Sequence, residues 1–248
     1  MSSDSALIVY NEGPIRHIRF NLPEKLNAID TQQHERVIKA VQTADQDPDV
    51  RVIAFSGEGR AFCAGDDIKN PVRVWPERHK KRLVDLEIGV GPLILQEATS
   101  VIRQVPKPTV ALMHGYAIGA GYDYATSCDF RVATEDCRFG DPRVHRALWA
   151  AEGWSYKLTR LVGAGWACRI ALLGQLLTGL EAERMGLVHR VYPPTKDLRE
   201  SAREFLLRLA GLPAESYAII KRHIIDGLDL SYEAALAHQP RCSFPQVT

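Results

Sequence analysis

Two glycine-rich loops carry the backbone groups with which this sequence could do chemistry. The first runs from Ser56 to Ile68 (SGEGRAFCAGDDI) and the second from His114 to Asp123 (HGYAIGAGYD), each after a short apolar segment. In the second loop the glycines lead into a predicted helix, whose first N–H groups lack partners within the helix and bind anions or developing oxyanions. One amide from each loop, converging on a single oxygen, would stabilise an enolate or a tetrahedral oxyanion.

The same glycines also fit simpler roles. Glycines after a strand most often form a tight turn that lets a helix pack closely. A dinucleotide site is disfavoured because the spacing of Gly115, Gly119 and Gly121 does not match Gly-x-Gly-x-x-Gly, and a phosphate loop would need a Gly-Lys-Ser/Thr sequence. The presence of two such loops favours the catalytic interpretation.

Short strands and helices alternate around these loops and must position them. Strands are predicted at ALIVY, GPIRHIRF, VRVIAFSG, PTVALMHG and FRVAT, which are rich in Val, Ile and Phe and bounded by Gly, Pro and Asn. The clearest helix runs from Asp30 to Asp45, where apolar residues recur at helical spacing after an Asp-Thr start. This alternation predicts an α/β fold with parallel strands and right-handed crossovers.

The composition changes at a proline pair, and the rest of the chain has helical patterns. We expect helices from Lys196 to Ala210 and from Pro213 to Leu228. The chain therefore divides into a core at residues 1–193 and a helical region at residues 194–248, which would pack on the core and supply subunit contacts.

The overall composition excludes several classes of protein. The 248 residues are 46% hydrophobic and 25% charged, enough for a full-sized core without disulfide staples. Lysine and arginine number 31 against 30 acidic residues, and a net charge of +1 disfavours nucleic acid or a membrane surface as partner. Five cysteines without metal-binding spacing predict reduced thiols, no bound metal and a cytoplasmic location. No signal peptide or membrane span is indicated.

Five segments occur together in one order along the chain: AFCAGDDIK, PTVALMHGYAIGAGYDYATSCDFRVAT, CRFGDPR, LTRLVGAGWACRIALLG and MGLVHRVYP. In composition, order and spacing they resemble the crotonase superfamily of enoyl-CoA hydratases and isomerases. The resemblance implies a crotonase-like spiral of repeated ββα units with a C-terminal helical region for trimerisation. It also implies an acyl-CoA substrate, a homotrimer or homohexamer, and no separate cofactor, since coenzyme A is part of the substrate.

The resemblance assigns the two oxyanion N–H groups to Asp66 and Ala120. Only the backbone matters at these positions, but the Asp66 carboxylate would destabilise a nearby enolate unless it points away or is paired. The substrate-binding and coenzyme-binding positions carried over from the same motifs are Lys25, Ala64, Asp67, Ile68, Lys69, Gly119, Tyr122 and His145. Residues 70–97, which mix prolines, glycines and a basic run, are expected to form a loop or lid beside the pocket.

The acid/base positions depart from the family pattern. Where hydratases hold one water between two glutamates, this chain has Asp123 and Arg143, and a guanidinium cannot exchange a proton at neutral pH. Asp123 is a candidate for a single acid/base, or an aspartate that interacts with the helix dipole. Arg143 could pair with Asp123 or Asp141, or grip a polar group of the acyl chain. Glu152 lies one position beyond an aspartate that some relatives use, and is the second acid/base candidate.

These residues lead to a principal hypothesis and two alternatives. The principal one is an acyl-CoA enzyme that stabilises a thioester enolate, with isomerase, decarboxylase or carbon–carbon hydrolase chemistry favoured over simple hydration. The first alternative is a family member that binds acyl-CoA without turnover. The second is a scaffold that acts through its helical tail.

Overall fold

The computed structural model describes residues 6–67, 93–148 and 152–238. Within them the strands are β1 (Leu7–Glu12), β2 (Ile15–Phe20), β3 (Val52–Gly57), β4 (Thr109–Met113), β5 (Tyr116–Ile118), β6 (Phe130–Thr134), β7 (Arg138–Gly140) and β8 (Arg190–Tyr192). The α-helices are α1 (Thr31–Gln46), α2 (Leu93–Gln104), α3 (Ala120–Ser127), α4 (Trp154–Leu172), α5 (Gly179–Arg184), α6 (Leu198–Ala210), α7 (Ala214–Gly227) and α8 (Tyr232–His238). Short 3-10 helices lie at Pro23–Lys25 and Pro142–Arg146.

Six strands form one sheet in the order β1-β2-β3-β4-β6-β8, and β5 and β7 form a second, two-stranded sheet. The first two strands pair antiparallel as a hairpin, whereas every later pairing in both sheets is parallel. Every residue of β3 and β4 is buried, as is typical of parallel strands covered on both faces. The predicted α/β fold with parallel strands is confirmed.

Helix α1 starts where the sequence predicts. The Asp30 side chain accepts a hydrogen bond from the Gln33 N–H, and the Gln33 side chain accepts one from the Asp30 N–H, which is a complete capping box. Val37, Ile38 and Val41 turn to the core. The capping box also sets the place of the fourth helical residue, His34, whose side chain is fully buried.

The two longer helices of the predicted C-terminal region differ in how much of their surface they bury. Helix α6 buries Leu198, Ala202, Leu206 and Leu209 against the apolar face of the large sheet, so it is a layer of the core. It begins at Leu198 because the Asp197 side chain caps it. Helix α7 instead buries only the side chain of Lys221.

Parts of several predictions lie outside the described residues. They include Ile68 and Lys69 and most of the loop or lid expected at residues 70–97, of which the last five residues belong to α2. In the described part of the chain, none of the helices is long and apolar enough to cross a membrane. The same part contains no group of three or more His, Cys, Asp or Glu side chains suited to holding a metal ion.

Candidate active site

The two glycine-rich loops lie against each other at Gly65 and Gly119, the residues that precede the two candidate oxyanion amides. A Cβ atom added to Gly65 would lie 3.5 Å from the Ala120 nitrogen, and one added to Gly119 would lie 3.2 Å from the Gly65 Cα. Gly65 and Gly119 have φ values of +99° and +55°, which residues with a side chain rarely adopt. Within the described residues, neither the Asp66 N–H nor the Ala120 N–H donates a hydrogen bond. Neither amide is thus committed to a partner within these residues, which is a requirement for binding a ligand oxygen.

Backbone hydrogen bonds hold the first loop in place. The Ile29 N–H donates to the Gly65 carbonyl at 2.9 Å, and the Ile29 carbonyl accepts from the Asp67 N–H at 2.8 Å. These two bonds bracket Asp66. The same loop forms an isolated bridge with β5, a short strand within the second loop. The amide pair is therefore part of an ordered backbone framework, as oxyanion stabilisation requires.

The Asp66 carboxylate contacts the buried side chain of His34 and is not an unpaired charge beside the amides. Its Oδ1 atom lies 3.3 Å from Nε2 of His34, and Nδ1 of His34 lies 2.5 Å from the hydroxyl of Tyr124. The sequence requires that this carboxylate be paired or turned away if Asp66 is to serve in an oxyanion hole. The His34 contact meets that requirement.

A cleft of about 590 Å³ opens beside the amide pair. The predicted site residues that line it are Lys25, Ala64, Asp66, Asp67, Gly119, Arg143 and His145. Leu26, Ala28, Tyr116, Ile118, Arg146 and Leu148 also line the cleft and are not among the sequence-based candidates. Lys25 binds Asp67 through a 2.9 Å contact, so Asp67 holds a lysine at the rim of the cleft.

Tyr122 does not line the cleft, although the family resemblance places it among the substrate-binding positions. Its side chain is fully buried in the main apolar core, where its ring packs against Phe139 with centroids 5.0 Å apart. The sequence could not distinguish these two locations, because a tyrosine in the first turn of a buried helix fits either.

Arg143 binds three buried carboxylates at once. Its Nη2 atom lies 2.8 Å from Asp123 and 2.9 Å from Asp141, its Nε atom lies 2.7 Å from Asp141, and its Nη1 atom lies 3.3 Å from Glu152. The three carboxylates come from different elements: Asp123 from α3, Asp141 from the cap of the 3-10 helix at Pro142–Arg146, and Glu152 from the segment before α4. Relative exposures of 0%, 5% and 6% show that all three are removed from water.

A buried lysine lies behind this cluster. The Nζ atom of Lys157 donates to the Ser127 hydroxyl at 2.8 Å and to the backbone carbonyl of Asp123 at 3.3 Å. Burial lowers the pKa of Lys157, while the nearby Asp123 charge opposes that shift. No sequence pattern indicated this residue, because a lone lysine in a helical segment usually faces solvent.

The cluster shifts the titration of its carboxyl groups. Burial raises the pKa of Asp123, although the Arg143 charge lowers it. Burial and the Asp123 charge raise the pKa of Glu152 from 4.5 to about 8. Within the described residues, Oδ1 of Asp123 has no hydrogen-bond partner, which leaves one of its two oxygens able to accept a proton. The cluster thus combines an Asp123 oxygen that has no hydrogen-bond partner with a Glu152 carboxyl group whose pKa of about 8 favours its protonated form at neutral pH.

Comparison with known proteins supports the sequence resemblance. The model of the enoyl-CoA hydratase/isomerase family matches residues 11–243. The Mycobacterium tuberculosis protein "Probable enoyl-CoA hydratase echA8" is 30% identical, covering 95% of this chain and 87% of its own. The peroxisomal Delta(3,5)-Delta(2,4)-dienoyl-CoA isomerase of Arabidopsis thaliana is 32% identical over 75% of this chain and 68% of its own. The crystal structure of enoyl-CoA hydratase from Thermoplasma volcanium superimposes with a TM-score of 0.81 at 28% identity, covering 95% and 89% of the two chains.

Proposed function

We propose that this chain, which belongs to the enoyl-CoA hydratase/isomerase family of the crotonase superfamily and has the crotonase fold, catalyses proton transfer on an acyl-CoA thioester. The thioester oxygen binds the Asp66 and Ala120 amides, which stabilise the enolate as it forms. Isomerisation is favoured over hydration. This preference rests on one observation: the Arg143 guanidinium binds both Asp123 and Glu152.

Substrate binding uses the cleft beside the amides. Placing the thioester carbonyl on the amide pair puts the acyl carbons near the Arg143 cluster, because Arg143 lines the same cleft. Lys25, which is half-exposed, and the exposed Arg146 supply positive charge at the rim for the coenzyme phosphates. The reaction needs no metal or redox cofactor, because the enolate charge is stabilised by the two amides.

Proton transfer uses the two carboxyl groups in opposite protonation states. Asp123 takes a proton from the carbon beside the thioester carbonyl, and the electron pair moves to the carbonyl oxygen as the enolate. Glu152, protonated at neutral pH, donates its proton to a different carbon as the enolate collapses. The pair is reset when the proton on Asp123 passes to Glu152. The net result is a shifted double bond.

The Asp123 and Glu152 carboxyl groups are less suited to hydration than to isomerisation. It requires two carboxylates that hold one water between them, one acting as base and the other returning the proton. Here Arg143 occupies the position of one of those carboxylates and binds the other, Asp123, as well as Glu152. A guanidinium neither takes up nor releases a proton at neutral pH.

Hydrogen–deuterium exchange at the acyl carbons tests this proposal. We expect the wild-type protein to exchange Cα protons of acyl-CoAs in heavy water and to convert a 3-enoyl-CoA to the 2-enoyl isomer faster than it hydrates crotonyl-CoA. Asp123→Asn should abolish exchange, whereas Asp229→Asn, at a half-exposed carboxylate that binds Arg160, should not change it. Crotonyl-CoA hydration as fast as isomerisation, and lost in Asp123→Asn, would contradict the preference for isomerisation.

A second candidate function is acyl-CoA binding without turnover. It is favoured by the complete burial of Asp123 and its tight contact with Arg143, which would hold the base away from a substrate proton. This function predicts acyl-CoA binding with no Cα exchange in the wild-type protein. The same experiment therefore separates the two candidates.

A further inference from the structure

Three side chains form a hydrogen-bonded chain from the core to the first oxyanion loop. The Tyr124 hydroxyl contacts Nδ1 of His34 at 2.5 Å, and Nε2 of His34 contacts the Asp66 carboxylate at 3.3 Å. Tyr124 and His34 are fully buried, and only the Asp66 side chain reaches solvent, with a third of its surface exposed. Neither Tyr124 nor His34 takes part in the proton transfers described above.

This chain connects the two halves of the amide pair. Tyr124 lies on α3 four residues after Ala120, which places it one helical turn from the second amide. Asp66 supplies the first amide. His34, in the first turn of α1, lies between them, and the Asp30 capping box sets the start of its helix. Three separate elements therefore determine where the Asp66 carboxylate points.

The direction of each hydrogen bond follows from the groups themselves. Burial raises the pKa of the Tyr124 hydroxyl well above its ordinary value, so the hydroxyl stays protonated and can donate. Because the Asp66 carboxylate only accepts, Nε2 of His34 carries the proton in that contact, and Nδ1 of the neutral imidazole accepts from the Tyr124 hydroxyl. Nε2–H is the donor that a carboxylate needs. The contact with Tyr124 thus selects the tautomer that binds Asp66.

We propose that His34 is a positioning residue for the oxyanion hole: it holds the Asp66 carboxylate away from the Asp66 and Ala120 amides, and Tyr124 holds His34 in the tautomer that does so. A carboxylate that swung toward the amides would occupy them or repel the enolate charge that they stabilise. Most of the effect should therefore fall on enolate formation, because a neutral thioester in its ground state is less sensitive to a nearby negative charge. This inference rests on the proposed function, since it assigns a role within the same amide pair.

The test measures the bound thioester carbonyl directly. The probe is butyryl-CoA labelled with ¹³C at the thioester carbonyl, whose infrared stretching frequency falls when the oxygen accepts strong hydrogen bonds. We expect the wild-type protein to lower this frequency and His34→Leu to return it toward the value of the free thioester. The Cα exchange rate of bound butyryl-CoA should fall by at least about tenfold in His34→Leu, with a change in dissociation constant of less than about threefold.

A second substitution distinguishes positioning from a role in packing. The double variant His34→Leu/Asp66→Ala removes the misplaced carboxylate but keeps the backbone amide, so it should restore both the frequency shift and the exchange rate. His34→Gln, whose amide can donate to Asp66 and accept from Tyr124, should remain close to wild type. If His34→Leu does not fold, Tyr124→Phe and Tyr124→Phe/Asp66→Ala provide the same comparison.

The possible outcomes distinguish a failure of this inference from a failure of the proposed function. A wild-type protein that binds butyryl-CoA with no frequency shift overturns the oxyanion hole and the inference together. A wild-type shift that persists unchanged in His34→Leu and in Tyr124→Phe overturns the inference alone. A shift lost in His34→Leu and not restored by Asp66→Ala also overturns it, because His34 would then act through packing.

Discussion

Arg143 links the charged side chains of the candidate site. One planar guanidinium carries five N–H donors in a fixed arrangement, so it can bind Asp123, Asp141 and Glu152 from different directions. With Lys157 nearby, two cations face three buried carboxylates. Burial raises the pKa of both Asp123 and Glu152, the latter to about 8, so the cluster favours holding a proton at neutral pH.

Removal of Arg143 should destabilise the protein strongly. In Arg143→Met the three carboxylates would remain buried without their shared partner, and we expect the free energy of unfolding at pH 7 to fall by about 3–5 kcal/mol. Urea denaturation measures this change. The matched control is Arg222→Met, at an exposed residue that binds Asp226, which should cost less than about 1 kcal/mol. Equal losses in both variants would show that the cluster is not a tightly coupled unit.

Glu152 should make stability depend on pH in a defined direction. Its pKa of about 8 in the folded protein lies above the ordinary value of 4.5, so between these values the folded state binds more protons than the unfolded state. Its stabilising contribution is fully present below about pH 4.5 and is lost as the pH rises through about 8.

The glutamine variant isolates this contribution. Relative to Glu152→Gln, the wild-type protein should lose unfolding free energy on the order of a few kcal/mol from pH 4.5 to 8 and no more above about pH 9. Urea denaturation of both proteins across this range gives the difference. A difference that does not vary with pH would show that Glu152 keeps an ordinary pKa.

At the scale of elements, the start of α3 is pressed against the first loop. A Cβ atom added to Gly121 would lie 2.3 Å from the carbonyl oxygen of Cys63, a backbone atom that cannot move alone. Cys63 precedes Asp66, the residue proposed to supply the first oxyanion amide, by three positions. The absence of a side chain at Gly121 therefore sets the distance between the two amides.

Gly121→Ala should separate the two amides. We expect the infrared shift of bound, ¹³C-labelled butyryl-CoA to be largely lost, together with about 1–3 kcal/mol of unfolding free energy from the forced contact. Gly227→Ala, at the last residue of α7 where an added Cβ has no neighbour within 4 Å, is the control and should be neutral or stabilising by up to about 1 kcal/mol. An unchanged shift in Gly121→Ala would mean that the loops tolerate the displacement.

At the scale of the whole molecule, α7 presents an apolar row to solvent. Ile220, Ile224 and Leu228 recur every four residues and are 59%, 63% and 44% exposed in the single chain. Side chains four apart lie on one face of a helix, so they form a continuous stripe. Exposed apolar stripes of this kind mark protein–protein contacts. This feature supports the homotrimer or homohexamer expected from the family resemblance.

A charge in this row should weaken the assembly. We expect the wild-type protein to have the mass of a trimer or hexamer in size-exclusion chromatography with light scattering, and Ile224→Glu to shift the mass toward the monomer. Gln32→Glu adds the same charge at an exposed position of α1 and should leave the mass unchanged. A wild-type monomer, or an Ile224→Glu assembly of unchanged mass, would contradict this role of α7.

The sequence by itself determined the features that depend on neighbouring residues. Strand and helix patterns, the Asp30 cap, the two glycine-rich loops and the family resemblance are all local signals, and the structure and the comparisons confirm them. The resemblance of the same motifs to the family assigns the two candidate oxyanion amides to Asp66 and Ala120, and that assignment stays a prediction. The sequence also indicated that Arg143 replaces a proton-transferring residue.

Contacts between side chains that are far apart in the sequence could be identified only from the structure. Asp66 and Tyr124 both reach His34, and Glu152 joins Asp123 on Arg143. These contacts join residues that the packing of separate elements brings together, and no local periodicity encodes that packing. The same reason explains why Lys157 was not foreseen and why Tyr122 lies in the core: burial and the resulting pKa shifts depend on what surrounds a side chain in space.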